Sequence, residues 1–382
     1  MRDLFLLDPS ITFLNHGSFG ACPREVFEAL QHWQREMELN PVAFLGRHSA
    51  QLLRASREAL GEAIGADAEH LVYVPNATTG VNIVARSWPL EAGDEVLGTG
   101  LEYGACDATW QQVCAARGAH YRRVEIPLPY RREEVVERVM AAVTPRTRLV
   151  FASHITSTTA LILPVADLCA ATRGRGVATL IDGAHAPGQV ELDLEAVGAD
   201  FYVGNCHKWL CAPKGAGFLH ARPEHHGLLA PSVISWGYAD GTGGHAGFEA
   251  YLGRSVFERR LQWQGTRDLA AWLAVPAAID FLASHDWPAV RLRCHALAAQ
   301  ALEVLTQRHG LAPIAREDDW AQMVAIPVPP QDAEALRRRL FEQSRIEVPV
   351  TTHAGQTFVR VSVQGYNTAD DLARLTEAPA LR

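Results

Sequence analysis

Three stretches of the 382-residue chain place reactive side chains where chemistry could use them. The first is Asn205-Cys206-His207-Lys208-Trp209-Leu210. A lysine between an apolar run and an aromatic is a candidate for burial, which lowers its pKa and frees a neutral amine for imine formation. Taken alone, it also fits a surface lysine after a strand. The second is Leu180-Ile181-Asp182-Gly183-Ala184-His185. A carboxylate ending an apolar run needs a cationic partner if it is buried, although an aspartate capping the next helix reads the same way. The third, Asn76-Ala77-Thr78-Thr79-Gly80, stands between an apolar run and a helical pattern. A helix start rich in hydroxyls offers N–H groups and a positive dipole end to a phosphate, but it is also an ordinary cap. Pyridoxal 5'-phosphate joins the three: an imine with Lys208, a protonated ring nitrogen against Asp182, and a phosphate at residues 77–79.

These stretches must be held by something, and the pattern around them says what. From residue 71, short apolar runs alternate with longer helical patterns, as in a parallel sheet covered on both faces. The runs are 71–74, 95–97, 149–152, 178–181, 201–203 and 217–219. In open α/β sheets ligands sit at the carboxyl ends of strands, and here those ends carry hydroxyls, a carboxylate, imidazoles and Lys208. Before the sheet comes a leader with the loop Asn15-His16-Gly17-Ser18-Phe19-Gly20, a helix opened by Pro23, and a second helix over 48–64. After it, residues 223–260 form a Gly-rich connection containing Gly241 to Gly244. From about 269 the pattern is helix, helix, strand (323–326), helix (333–344), strand (357–363) and helix, an α+β unit.

Composition bounds the partners. Lys plus Arg is 35 and Asp plus Glu is 43, a net charge of -8; a nucleic-acid binder needs a basic surface, and the run Arg337 to Arg339 is too short to supply one. No apolar stretch is long enough to span a bilayer, and Met1 to Asp8 does not read as a signal peptide. Seven cysteines with no CxxC pair argue against a disulfide framework or a zinc knuckle. The expected setting is the cytoplasm, and no metal site is expected: His220, His225 and His226 resemble one only by count. Gly98-Thr99-Gly100 followed by Gly104 mimics a dinucleotide fingerprint without its third-glycine spacing. An NAD-dependent oxidoreductase is therefore kept as the reading from outside the class.

The chain resembles the class V aminotransferase group of fold-type I pyridoxal-phosphate enzymes. The likeness rests on Asn76 to Gly80, Arg146-Thr147-Arg148-Leu149, Ser153 to Thr159, Asp182 to Pro187, His207 to Leu210, Ser235-Trp236-Gly237-Tyr238 and Gly265-Thr266-Arg267-Asp268. Within that group it is similar to isopenicillin N epimerases and to cysteine-conjugate C–S lyases. The resemblance implies an aspartate-aminotransferase-like α/β fold: a mostly parallel central sheet with helices on both faces and a smaller α+β C-terminal domain. The expected division is a leader over 1–47, a cofactor-binding domain over 48–260 and a small domain over 261–382.

The same resemblance assigns roles. Lys208 is the imine-forming lysine and the proton shuttle at Cα, and Asp182 pairs with the ring nitrogen. His185 stands where the family places a donor to the ring hydroxyl. Ala77 and Thr78 hold the phosphate with Thr79 beside them, and His207 adds a contact. Tyr103 falls where the family stacks an aromatic or histidine on the ring, and it is the candidate acid on the face opposite Lys208; a core tyrosine reads the same. Thr266 reaches the phosphate of a partner subunit, implying a homodimer with shared sites, or else caps the helix near Asp268. Arg360 matches the arginine that clamps a substrate carboxylate, and Asn15 and His16 lie in the leader that folds over the substrate. The side-chain reader is expected among the leader, the region of Arg47 and the loop 235–245.

Three outcomes of Cα chemistry remain open at this level: epimerisation, β-elimination and transamination. A desulfurase needs a nucleophilic cysteine shortly before the carboxylate-binding arginine, and no Cys occurs between Cys294 and Arg382. Epimerisation is the first expectation and C–S β-elimination the alternative, toward which the leader Asn-His-Gly-Ser-Phe-Gly leans.

Overall fold

The computed structural model describes residues 1–238 and 253–382. The Gly241–Gly244 cluster and most of the loop 235–245 fall outside the described residues.

The leader contributes β1 (Thr12–Phe13). The central sheet is built from β2 (Leu71–Val74), β3 (Glu95–Thr99), β4 (His120–Val124), β5 (Thr147–Ser153), β6 (Ala178–Gly183), β7 (Phe201–Asn205) and β8 (Gly217–Ala221). Their order across the sheet is β2-β8-β7-β6-β5-β3-β4. The strands from β4 to β7 pair in parallel, while β8 pairs antiparallel with both β7 and β2. The six expected runs all form strands. The seventh, β4, was not expected: its sequence His-Tyr-Arg-Arg-Val lies on an edge with no buried residue, so no apolar run marks it.

Successive strand residues point to opposite faces, and both faces are apolar. Val96, Phe151, Leu180 and Val203 pack on one side with Val81 and Trp110. Leu97, Val150, Ile181 and Tyr202 pack on the other with Leu53, Leu168 and Trp209. Helices therefore cover the sheet on both faces. Gly98 is explained by this packing: a Cβ there would lie 2.0 Å from the Tyr121 hydroxyl. The glycine admits the neighbouring strand's tyrosine, with no nucleotide required.

The C-terminal unit holds an antiparallel sheet of β9 (Met323–Val328), β11 (Val350–His353) and β12 (Gln356–Ser362), in the order β11-β12-β9. Helix Trp287–His309 packs against β9, and helix Ala369–Thr376 packs against that helix and β1. Between these strands, β10 (Ile346–Glu347) pairs in parallel with β1 of the leader, and Asn15 bridges to Ser362. The leader is thus stitched onto the C-terminal unit, while its segment 15–20, expected as a loop but folded into the short helix His16–Phe19, reaches the central sheet. At Gly20 the contact is so close that a Cβ would lie 2.0 Å from the His207 carbonyl oxygen, with φ at +70°. Only glycine fits there without strain.

Candidate active site

The parallel strands β5, β6 and β7 end side by side, which brings Ser153, Asp182 and Asn205 to one rim. Antiparallel β8 returns to that rim at Gly217, opposite Asn205. Over it lies a cleft of about 330 Å³, lined among others by Ser18, Thr78, Tyr103, Asp182, His185, His207, Lys208 and Arg360. Residues from the leader, the sheet and the C-terminal unit converge there, and Ser18 meets Arg360 across 342 positions of chain.

The lysine is held by a relay. The indole N–H of Trp209 donates to His185 Nδ1 at 3.2 Å, and His185 Nε2 lies 3.1 Å from Lys208 Nζ. Burial, first, and then the charges of Lys208 and Arg360 push the His185 pKa well below its ordinary value. A neutral imidazole that accepts at Nδ1 carries its proton on Nε2. That proton can be donated only to an amine with a free lone pair, so the contact favours neutral Lys208. Burial acts the same way, bringing the Lys208 pKa down to about 8 against the opposing pull of Asp182. The backbone under the lysine is pinned too. His16 Nε2 lies 3.0 Å from the Lys208 carbonyl oxygen.

Asp182 is a carboxylate 4% exposed. It accepts from the Ala184 amide at 2.9 Å and from the Cys106 thiol at 3.6 Å, and burial raises its pKa. No Lys or Arg pairs with it among the described residues. Behind it, buried Glu102 accepts from Thr99 at 2.5 Å and from Ser153 at 2.6 Å. Its pKa is pushed up to about 8 by burial, with Asp182 contributing. Asp182, a buried acid without a counter-cation and backed by Glu102, lines the cleft where a protonated pyridine nitrogen would neutralise it.

The opposite charge waits at Arg360, only 5% exposed. Its Nη1 donates to the Ser157 carbonyl at 2.6 Å and its Nη2 to the Ser18 hydroxyl at 3.0 Å, while Nε is buried with no partner. Burial lowers its pKa to about 10. No carboxylate is paired with this guanidinium among the described residues, which leaves fork donors for an incoming anion.

At the helix Ala77–Ser87, Asn76 is the cap. Its Oδ1 accepts from both the amide and the hydroxyl of Thr79 at 2.9 and 3.1 Å. Thr79 is thereby spent on the cap and does not line the cleft, contrary to expectation. The Ala77 amide is taken by Asn205 Oδ1 at 2.8 Å, so the phosphate-holding donors fall chiefly to Thr78. His207 faces the cleft with Nδ1 tied to the Ala216 carbonyl at 2.9 Å, which leaves Nε2 inward. Tyr103, 47% exposed, also lines the cleft.

Two leader residues are placed differently from expectation. His16 is wholly buried, with Nδ1 3.1 Å from the Tyr366 hydroxyl, and lies beneath the lysine turn. Asn15 acts through Ser18, whose hydroxyl is 2.5 Å from Asn15 Oδ1. Thr266 and Arg47 are exposed and do not line this chain's cleft. Ser18, Ser157, Asn205 and Trp209 were not singled out from sequence. Trp209 and Asn205 sit beside the lysine, and that adjacency was the available signal.

The donor set fits pyridoxal phosphate: Lys208 for the carbonyl carbon, Asp182 for the ring nitrogen, His185 for the ring oxygen, and Thr78 with His207 for the phosphate. Comparison with known proteins agrees. Over 99% of its length the chain is 41% identical to isopenicillin N epimerase of Streptomyces clavuligerus, covering 96% of that protein. It is 27% identical to a probable chloroplastic L-cysteine desulfhydrase of Arabidopsis thaliana, with 97% of the chain and 82% of the relative covered. A C-DES variant with glycine linked to its pyridoxal-phosphate cofactor superposes over 100% of this chain and 99% of its own, with a TM-score of 0.83 at 24% identity. The family model for class-V aminotransferases matches residues 13–375, so this chain belongs to the class-V aminotransferase family and is a pyridoxal-phosphate-dependent enzyme.

Proposed function

We propose that the enzyme epimerises an amino-acid substrate at Cα. The observation that carries this choice of reaction is the 41% identity to isopenicillin N epimerase over nearly the full length of both chains. When bound, the cofactor supplies an electron sink for the carbanion at substrate Cα. The chain's own groups supply the rest. Arg360 holds the substrate carboxylate by its fork and is itself aimed by Ser18 and Ser157. Lys208, whose pKa burial lowers to about 8 and so brings the neutral amine within reach of physiological pH, takes the Cα proton on one face. The Tyr103 hydroxyl serves the other. One proton leaves and one returns, so no redox partner is needed. Asp182 keeps the ring nitrogen protonated, His185 donates to the ring oxygen, and Thr78 and His207 hold the phosphate end.

The cofactor side of the cleft belongs to 48–260, while 1–47 and 261–382 supply Ser18 and Arg360 on the substrate side. The working unit is a homodimer. Phe19 is 74% exposed at the cleft, an apolar surface that a second subunit would cover, and Thr266 would then face the partner's phosphate. Seven free cysteines accord with a reducing cytoplasm. Among the described residues no helix is long and apolar enough to cross a membrane.

β-Elimination from a cysteine conjugate is the second reading, favoured by the L-cysteine desulfhydrases of plants among the relatives. The leader histidine no longer supports it, because His16 is turned away from the cleft. The deciding experiment offers the holoenzyme a panel of amino acids and S-conjugates in deuterated water. Deuterium at Cα with inverted configuration and no keto acid supports epimerisation. Pyruvate and ammonia establish elimination instead, and keto acid formed only with an added acceptor establishes transamination.

A further inference from the structure

The histidines set aside in the sequence are regrouped by the fold. His225 is engaged by Asp200, with Nε2 3.3 Å from Oδ1, and His226 Nε2 lies 2.8 Å from the Ala221 carbonyl. His220 is different. It is 5% exposed, and neither ring nitrogen has a hydrogen-bond partner. A buried imidazole with both nitrogens unsatisfied is costly unless something binds it. Its neighbours are His70, whose ring centroid is 6.0 Å away, and Glu195. The ligating atoms of His70, Glu195 and His220 all lie within 4.8 Å of one another.

We propose that these three residues form a transition-metal site, with Zn²⁺ as the ion its chemistry suits. Two imidazoles and one carboxylate are a borderline nitrogen and oxygen donor set, which selects zinc-like ions over Mg²⁺ or Ca²⁺. Zinc bonds of about 2.0–2.1 Å in a tetrahedron need donor atoms roughly 3.3 Å apart. Exposed Glu195 can swing in to close that distance.

The site lies outside the catalytic cleft. His220 pairs with Tyr202, whereas Asn205 pairs with Gly217 at the cleft. Those two positions are three residues apart along the strand, roughly 10 Å, and His220 is toward the amino end of β7. The ion is therefore structural. His70 closes the turn Ala68–His70 before edge strand β2, His220 belongs to β8, and Glu195 belongs to the helical turn Leu194–Val197. Binding would pin the sheet's edge to the segment preceding β7 and stabilise the folded chain by mass action.

The test is calorimetric titration of chelator-treated holoenzyme with zinc chloride, the saturated cleft keeping Lys208 and His207 out of competition. One zinc per chain is expected, with a higher Tm and an unchanged cofactor band. His70→Gln and Glu195→Gln, both at positions that are not fully buried, should each weaken binding at least about tenfold, and His225→Gln should leave it unchanged. An anomalous-scattering peak between His70 and His220 would locate the ion. Absence of saturable binding, or affinity unchanged in both His70→Gln and Glu195→Gln, overturns the proposal.

Discussion

Replacing Arg360 gives the sharpest test of how the cleft recognises its substrate. The guanidinium is buried, uses one edge on Ser157 and one on Ser18, and keeps Nε without a partner. A substrate carboxylate would accept two charge-assisted hydrogen bonds from the remaining donors, each about 1.5–3 kcal/mol. Arg360→Met removes both, so amino-acid affinity should fall by about 10²- to 10⁴-fold. Arg360→Lys keeps the charge but loses the planar fork and should fall between. The assay is titration of the holoenzyme's visible band with an amino acid and, in parallel, with the corresponding amine lacking the carboxylate. Wild type should strongly prefer the acid. The methionine variant should bind the two nearly equally, with the amine unchanged from wild type. If Arg360→Met weakens both ligands alike, the arginine is a scaffold and the reasoning fails; the same follows if acid binding stays within about threefold of wild type.

Other consequences can be checked separately. Trp209→Phe removes the donor that fixes the His185 tautomer, and the lysine pKa read from the pH dependence of cofactor loading should rise by about half to one unit; an unmoved profile would show the relay to be idle. In wild type, loading of the apoenzyme requires the neutral amine. Its rate should therefore rise with pH, bend near the Lys208 value of about 8 and fall about tenfold per unit below it. A bend near the ordinary lysine value would contradict the burial argument. Gly20→Ala places a Cβ against the His207 carbonyl at positive φ. It should cost about 1–3 kcal/mol, lower Tm by several degrees and weaken cofactor retention; unchanged Tm and retention would mean the leader packs less tightly than described.

The central sheet was legible because its strands are buried on both faces and read as apolar runs between helical patterns. Edge strand β4 was not, since Arg122 and Arg123 on a solvent-facing edge carry no such signal. Nor was the direction of β8: a run of Gly-Phe-Leu looks the same in either orientation, and only the short return from Lys208 makes it antiparallel. At the site, Lys208, Asp182, His185, His207 and Arg360 could be picked out because each sits in a compact motif. Ser18, and the buried carboxylate of Glu102 behind Ser153, could not. Their relevance comes from contacts such as Ser18 with Arg360, made only when distant segments meet. The misplaced residues share one cause. Asn15, His16 and Thr79 have side chains that can turn toward the cleft or toward the protein, and the choice is made by partners such as Tyr366 and Asn76. The histidines were misgrouped for a similar reason, since counting along the chain put His220 with His225 and His226 while the fold sets it beside His70.

Lys208→Ala tests the central claim most directly. The variant should fold, with a Tm close to that of wild type, because the side chain borders an open cleft. The visible absorption band that cofactor forms on the wild-type protein should be absent, and deuterium incorporation at substrate Cα should vanish. A Lys208→Ala protein that keeps the wild-type band, or continues to exchange the Cα proton, would contradict the account.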